Sequence, residues 1–495
     1  MRAKRLASFL VALVLIAVAA ILVIHQSEES NWTLEKFYSQ ELNWQECYED
    51  FECSSFKVPV NYQEINDRTF TLEVLRHRAT KPAARIGSIV VNPGGPGGSA
   101  TDYAYNARSI VSDEINQKFD IVGFDPRGVN ESEPIRCLSN QEEDAFLEAG
   151  TTRADKREIR ALVGISKNFA VKCADAAGEK LGHYSTYEAA KDLDILRELL
   201  GDMKLNYLGK SYGTYLGTIY AALFPKKVGR LVLDGAVAPE ITLRDQGLAQ
   251  AIGFDGALKN YLNSQDQFKL SDIERMLEKA KSEPMRLIGK TDEERTATQS
   301  LIITAIAQSL YNSVTGWREL TEALNLAINK NNPKLIFKLS DRYNDRDESG
   351  NYYSNQTDIS IMITCLDWRE ERTVADMAED QEVFRESSSV FGPYLSFSTL
   401  PCKYWQAKPN LPEVELFNIQ TDPVLIIGVT QDPATPYLWA ENLTESFVNA
   451  KLLTLKGEGH TGHGRGNKCI DQTVNRFFLT GKSPSKALFC TQSGN

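Results

Sequence analysis

The chain has 495 residues, 42% hydrophobic and 24% charged, enough for one large domain carrying an insertion or for two to three domains. Its formal net charge of -11 argues against nucleic acid or an anionic surface as partner, because a phosphate-binding face needs a basic excess.

Residues 1–30 have the form of an export segment. Arg2, Lys4 and Arg5 precede an uncharged, mostly apolar run over 6–24, and the polar stretch HQSEES follows it. The run is also long enough to cross a bilayer, and no clear A-x-A site closes it, so a cleaved signal and a retained membrane anchor both fit. Either places the rest of the chain outside the cytoplasm, secreted, periplasmic or membrane-anchored. The eight cysteines agree with export: an even number, none in a C-x-x-C pair, and too few histidines for a zinc finger. No metal site is expected. Sequential neighbours are the expected disulfide partners, Cys47 with Cys53, Cys137 with Cys173, Cys365 with Cys402, and Cys469 with Cys490.

After a polar lead over 31–55, residues 56–60 and 69–77 read as two strands of a hairpin. Residues 86–91 are the first fully buried strand candidate and run into NPGGPGGS at 92–99, whose glycines and prolines exclude helix and strand. The stretch FDIVGF at 119–124 is a second buried strand, ending at Asp125-Pro126-Arg127-Gly128. Residues 140–184 are charged and suggest surface helices. Ser185 and Glu188 then offer a capping box, and Ala189, Leu193, Leu196 and Leu200 give one apolar helical stripe.

Leu205, Tyr207 and Leu208 close an apolar stretch that meets Gly209-Lys210-Ser211-Tyr212-Gly213, and small and apolar residues follow to Ala222. Strand, sharp turn and helix in that order around G-x-S-x-G form a nucleophile elbow. Residues 228–233 are another short strand. From 241 to 415 the alternation stops and helical stretches dominate, for example 271–280, 300–311 and 317–328, as expected of a helical cap inserted between two portions of a sheet. Strands return at 424–429 and 451–455, with helices at 436–450 and 471–480. The expected domains are thus 1–30 for export, 31–240 and 416–495 for an α/β core, and 241–415 for the cap. Strands alternating with helices imply a mainly parallel sheet covered on both faces, with sites at the carboxyl ends of the strands.

Ser211, Asp432 and His460 all follow strands. Serine is a weak nucleophile, so His460 must take its proton while Asp432 fixes the imidazole tautomer and stabilises its charged form. His463 is the other downstream histidine and reads as a loop residue. Asp422 precedes its strand and falls at the wrong end of the sheet, whereas Asp234 is a possible substitute acid. The 92–99 loop is positioned to donate an N–H to an oxyanion, from Gly95 or Gly94, with the Tyr212 amide as the second donor. No nucleotide-binding glycine motif is present.

The residues NPGGPGGS, GFDPRG, DLDILRELLG, NYLGKSYGTYLG, RLVLDG, TCLD and GVTQDPATP, with GEGH near the end, resemble the secreted tripeptidyl-aminopeptidase branch of the α/β-hydrolases, related to prolyl aminopeptidases. The resemblance covers roughly 50–480 and is weakest over 241–355. It implies an α/β-hydrolase fold and a cofactor-free serine exopeptidase that removes short peptides, often tripeptides, from free N-termini. The family's Ser, Asp and His match Ser211, Asp432 and His460. Prolyl-aminopeptidase relatives open the oxyanion loop with His-Gly-Gly-Pro-Gly, and Asn92-Pro93 stand ahead of the glycines here, as in the tripeptidyl branch.

An aminopeptidase needs a carboxylate for the substrate ammonium, and Asp367, near Cys365, is the candidate, ahead of Glu370. Two other functions compete: a carboxylesterase or lipase using the same triad, and a non-catalytic binding protein of this fold. The second would normally have lost a triad member, and all three are present.

Overall fold

The computed structural model describes residues 32–66, 68–150, 155–288, 294–408 and 414–492. The export segment expected at 1–30, with its apolar run at 6–24, lies outside them. Among the described residues, no helix is long and apolar enough to cross a membrane.

Ten strands form one sheet: β1 (Gln45–Tyr48), β2 (Phe51–Pro59), β3 (Thr69–His77), β4 (Gly87–Asn92), β5 (Phe119–Phe124), β6 (Leu205–Lys210), β7 (Val228–Asp234), β10 (Val424–Gln431), β11 (Ala450–Glu458) and β12 (Leu488–Thr491). Their spatial order is β1-β2-β3-β5-β4-β6-β7-β10-β11-β12. The first three strands join antiparallel, and every pairing from β5 onward to β12 is parallel. β4 and β5 are buried along their whole length and β7 along most of it, because helices cover both faces of the sheet. Two large clusters hold these layers together, one on Phe56, Leu72, Leu193, Leu216 and Leu233, the other on Ile89, Ile121, Leu208, Ile427 and Phe477. This is the α/β-hydrolase fold.

Between β7 and β10 the chain leaves the sheet for a largely helical insertion, which includes helices Leu243–Asn263, Leu270–Ser282, Gln299–Leu310, Lys334–Tyr343, Gln356–Asp367 and Val374–Ser387. It has its own apolar core on Leu258, Ile302, Ile306, Leu320 and Phe337. A two-stranded hairpin, β8 (Arg286–Ile288) and β9 (Glu294–Thr296), adds to the helices expected there.

The disulfides are the sequential pairs, 47–53, 137–173, 365–402 and 469–490. Cys137, Cys173 and Asp358 lie close together, but the two sulfurs are joined to each other and offer no thiolate to a metal.

Two local expectations need correction. Ser185 precedes the helix Thr186–Leu199 but makes no side-chain cap bond. Glu188 turns instead to His183 Nδ1 at 2.9 Å, and the Thr186 amide donates to Asp367 Oδ1 at 2.8 Å. A carboxylate from a distant helix thus replaces the local cap. The strands β1 and β12 were not expected, because β1 is exposed throughout and β12 lies in the tail.

Candidate active site

The elbow is built by β6, Ser211 and the helix Tyr212–Leu223. Ser211 has φ of 54° and ψ of -126°, a strained conformation for a residue with a side chain. The surroundings hold it there. Its N–H donates to Asp234 O at 2.9 Å, Thr214 Oγ1 donates to its carbonyl at 2.6 Å, and Tyr207 Oη donates to Gly213 O at 2.8 Å. A Cβ on Gly213 would come within 2.7 Å of Asn92 Oδ1, which is why the motif needs glycine there. The Tyr212 amide opens the helix and has no carbonyl one turn back within it, so it is a free donor beside the Ser211 hydroxyl.

Asp432 and His460 occupy the turns after β10 and β11. His460 Nδ1 lies 2.9 Å from Asp432 Oδ1 and 3.0 Å from Oδ2. Because a carboxylate only accepts, Nδ1 carries the proton and Nε2 keeps its lone pair. Asp432 also accepts from the amides of Ala434 at 3.0 Å, Thr435 at 2.9 Å and Thr461 at 3.2 Å. Ser211 and His460 both border the segment Asp234-Gly235. The Asp234 carbonyl takes the Ser211 N–H, and a Cβ on Gly235 would touch His460 Cε1 at 3.2 Å. Among the described residues Ser211 Oγ makes no hydrogen bond.

The 92–99 loop presses on the elbow: a Cβ on Gly94 would fall 2.8 Å from Ser211 Cβ and 2.5 Å from Lys210 O. The Gly94 N–H is already bonded to Asn92 Oδ1 at 2.9 Å, whereas the Gly95 N–H has no hydrogen-bond partner among the described residues. Asp125 anchors the far end of the loop, accepting from Ser99 Oγ at 3.0 Å and from the amides of Ala100 at 2.7 Å and Thr101 at 3.1 Å.

A strained serine on an elbow with a glycine loop pressed against it, and an aspartate bonded to a histidine at the ends of later strands, suit a serine hydrolase. Residues 388–490 match the family model described as TAP-like protein. The chain is 31% identical over 461 residues to serine protease Hip1 of Mycobacterium tuberculosis, covering 88% of this chain and 87% of that protein. The chain belongs to that α/β-hydrolase family. It is 29% identical over 475 residues to tripeptidyl aminopeptidase of Streptomyces lividans, covering 91% of this chain and 86% of that one. Carboxylesterase B of Mycobacterium tuberculosis is 30% identical over 463 residues, covering 88% and 86%. The protein is therefore a serine-hydrolase-superfamily enzyme related to peptidases and to esterases.

Asp234 makes no hydrogen bond to the His460 ring among the described residues. It accepts from the amides of Gly462 at 2.7 Å and His463 at 2.9 Å, with Lys210 Nζ at 3.8 Å, and so shapes the turn that carries His460. Asp422 pairs with Lys204 at 2.6 Å, ahead of β6 and β10 and away from the site. His463 is buried under the turn, its carbonyl accepting from Lys210 Nζ at 2.7 Å. Burial, helped by Lys210, pushes its imidazole down to about 3. In the unfolded chain it titrates near about 6.5, so the unfolded state binds more protons between those values. Stability that is complete above pH 6.5 therefore falls as the pH drops below it. Urea unfolding at pH 7 and pH 5 should give a smaller loss for His463→Ala than for the wild type; an equal loss would contradict this.

Asp367 ends the helix Gln356–Asp367, two residues from the Cys365–Cys402 bridge, and is buried. Its oxygens accept from the Thr186 amide and hydroxyl, and that hydroxyl also bonds the Tyr212 phenol. The Asp367 carboxylate is thus linked through Thr186 to the residue next to Ser211. Glu370 is committed elsewhere, paired with Arg372 at 2.7 Å and bonded to Thr399.

Four residues at or around the site had no sequence signal. Tyr311, from the cap, accepts the His460 N–H on its carbonyl at 2.9 Å and sets its ring edge-on to the imidazole, with centroids 5.2 Å apart. Asn312 and Arg465 join Tyr311, Pro93, Lys210 and His460 around a cavity of about 340 Å³. From a second cap helix, Gln250 Nε2 donates to Ala434 O at 3.0 Å, so the insertion holds both late turns.

Proposed function

We propose that the protein is an exported serine exopeptidase that releases short peptides, tripeptides foremost, from free N-termini. The observation that most supports this is His460 held by both oxygens of Asp432 beside Gly235, with the strained Ser211 bordering the same Asp234-Gly235 segment. In this reading Ser211 Oγ attacks the carbonyl of the scissile bond while His460 Nε2 takes its proton. The oxyanion is received by the Gly95 and Tyr212 amides. Collapse expels the new amine with the proton from His460 and leaves the peptide as an ester on Ser211; water, deprotonated by the same imidazole, then releases it. Asp432, held by three backbone amides, keeps the imidazole oriented through both half-reactions. No step uses a cofactor. Four disulfides and the charged, apolar N-terminal stretch support export, with residues 6–24 serving as signal or as membrane attachment.

In the same reading Asp367 supplies the negative charge for the substrate ammonium. Burial pushes its carboxyl up to about 7, so the charge is present above pH 7 and is lost as the pH falls through it. The ratio of kcat/KM on a free-amino tripeptide anilide to that on a short neutral ester should fall on acidification through pH 7. Asp367→Asn should lower that ratio by about 10-fold to 100-fold and flatten its pH dependence. Equal losses on both substrates would assign Asp367 to holding Thr186 alone.

The likeness to carboxylesterase B supports a second reading, an esterase working through the same three residues. Rates on a free-amino tripeptide anilide, its N-acetyl form and a short-chain ester separate the two. An exopeptidase cleaves the first at least about 10-fold faster than the second. Turnover of the ester with neither anilide cleaved would leave the esterase.

A further inference from the structure

The cavity beside His460 carries more positive charge than the chemistry described above uses. Two of its lining residues are cations, Lys210 and Arg465, and none is a carboxylate. Lys210 is balanced, with its ammonium on His463 O at 2.7 Å and Asp234 Oδ2 at 3.8 Å. Arg465 is not: among the described residues its one hydrogen bond runs from Nη1 to Thr461 O at 3.0 Å, and no carboxylate of theirs lies within ion-pair distance of it. A guanidinium has five N–H donors, and a half-buried one without a counter-ion costs desolvation free energy that an anion would recover. Burial accordingly lowers its proton affinity, opposed only by the more distant Asp234, Asp432 and Glu458. Asn312 at the same rim has its Oδ1 occupied by the Val314 and Thr315 amides at 2.9 and 3.1 Å, leaving its NH₂ group free.

The position of the cavity identifies which part of a substrate would enter it. His460 must hand its proton to the departing amine, so a cavity walled by His460 and Thr461 lies on the leaving-group side of the scissile bond. We propose that this cavity is an anion subsite for the leaving group, in which Arg465, with Lys210 and Asn312 beside it, receives a carboxylate of the residue that follows the cleaved bond. The proposal rests on His460 being the base of the exopeptidase reading. The carboxylate has two possible sources, the C-terminus of a four-residue substrate or an acidic side chain directly after the scissile bond of a longer one. Either makes the enzyme select among peptides by what is cut off as well as by the tripeptide released.

The test compares kcat/KM on four peptides, with Ala-Ala-Ala p-nitroanilide as the uncharged reference. Ala-Ala-Ala-Ala as free acid and as C-terminal amide reads the terminal carboxylate; Ala-Ala-Ala-Asp-Ala amide against its Asn counterpart reads the side chain. In the wild type at least one charged member should be preferred by about 10-fold to 100-fold. Arg465→Gln should bring that preference to within about threefold of unity, and Arg465→Lys should keep much of it. No preference in either pair, or a preference that survives Arg465→Gln, overturns the proposal. The wild-type ratios alone can do so, whether or not a variant folds. Failure to cleave the anilide and all four peptides would instead overturn the exopeptidase reading, and the subsite with it.

Discussion

Ser211→Ala should lower kcat on a free-amino tripeptide anilide by at least about 10⁴-fold, since removing a serine nucleophile leaves only the contributions of the oxyanion donors and substrate binding. The fold should survive. Among the described residues Ser211 Oγ makes no hydrogen bond, the N–H bond to Asp234 O is a backbone contact, and alanine tolerates φ of 54° no worse than serine does. Thermal unfolding within a few degrees of the wild type, measured on the same sample, would show that chemistry and not structure was lost. Activity within tenfold of the wild type would remove Ser211 from the mechanism.

Asp432→Asn should lower kcat by up to about 10⁴-fold, the size of the corresponding change in the serine-protease triad. The physical reason lies in the bonds that Asp432 makes. Its oxygens accept from Ala434, Thr435 and Thr461 amides and from His460 Nδ1. An asparagine can satisfy the Ala434 and Thr435 amides only by keeping its oxygen toward them, which turns its NH₂ toward Thr461 and the imidazole. His460 then accepts at Nδ1, carries its proton on Nε2, and cannot take one from Ser211. A near-normal kcat would transfer the role to Asp234, which is already occupied by the Gly462 and His463 amides. Asp234→Asn should therefore affect stability more than tautomer.

Much of this site was legible in the sequence because its residues sit where a period changes. An apolar strand pattern breaks at Ser211, Asp432 and His460, and each break is followed by glycine, proline or helix-forming residues. The sheet was legible for the same reason: strands buried on both faces are continuous apolar runs. Sequential disulfides follow from short separations, 6 to 37 residues, which close local loops at modest cost. What escaped depends on contacts far apart in the chain. The capping box at Ser185 obeys the local rule, yet Asp367 takes its place from 181 residues away. Tyr311 reaches His460 only because the insertion folds back over the strand ends, and nothing near residue 311 announces it. Arg465 lies five residues past His460 in a glycine-rich turn, where its charge looks like ordinary surface until the cavity is in view. The bond from Gly94 N–H to Asn92 Oδ1 favours Gly95 as the proposed oxyanion donor, and the sequence pattern alone does not rank these two adjacent glycines.

The central claim is that Ser211, activated by His460, forms the covalent intermediate, and mass-spectrometric mapping of an active-serine phosphonate tests it most directly. The wild type should take up one phosphonyl group, on the peptide that carries Ser211, while Ser211→Ala takes up none and His460→Ala reacts far more slowly. A label on another residue, or undiminished labelling of Ser211→Ala, would contradict it.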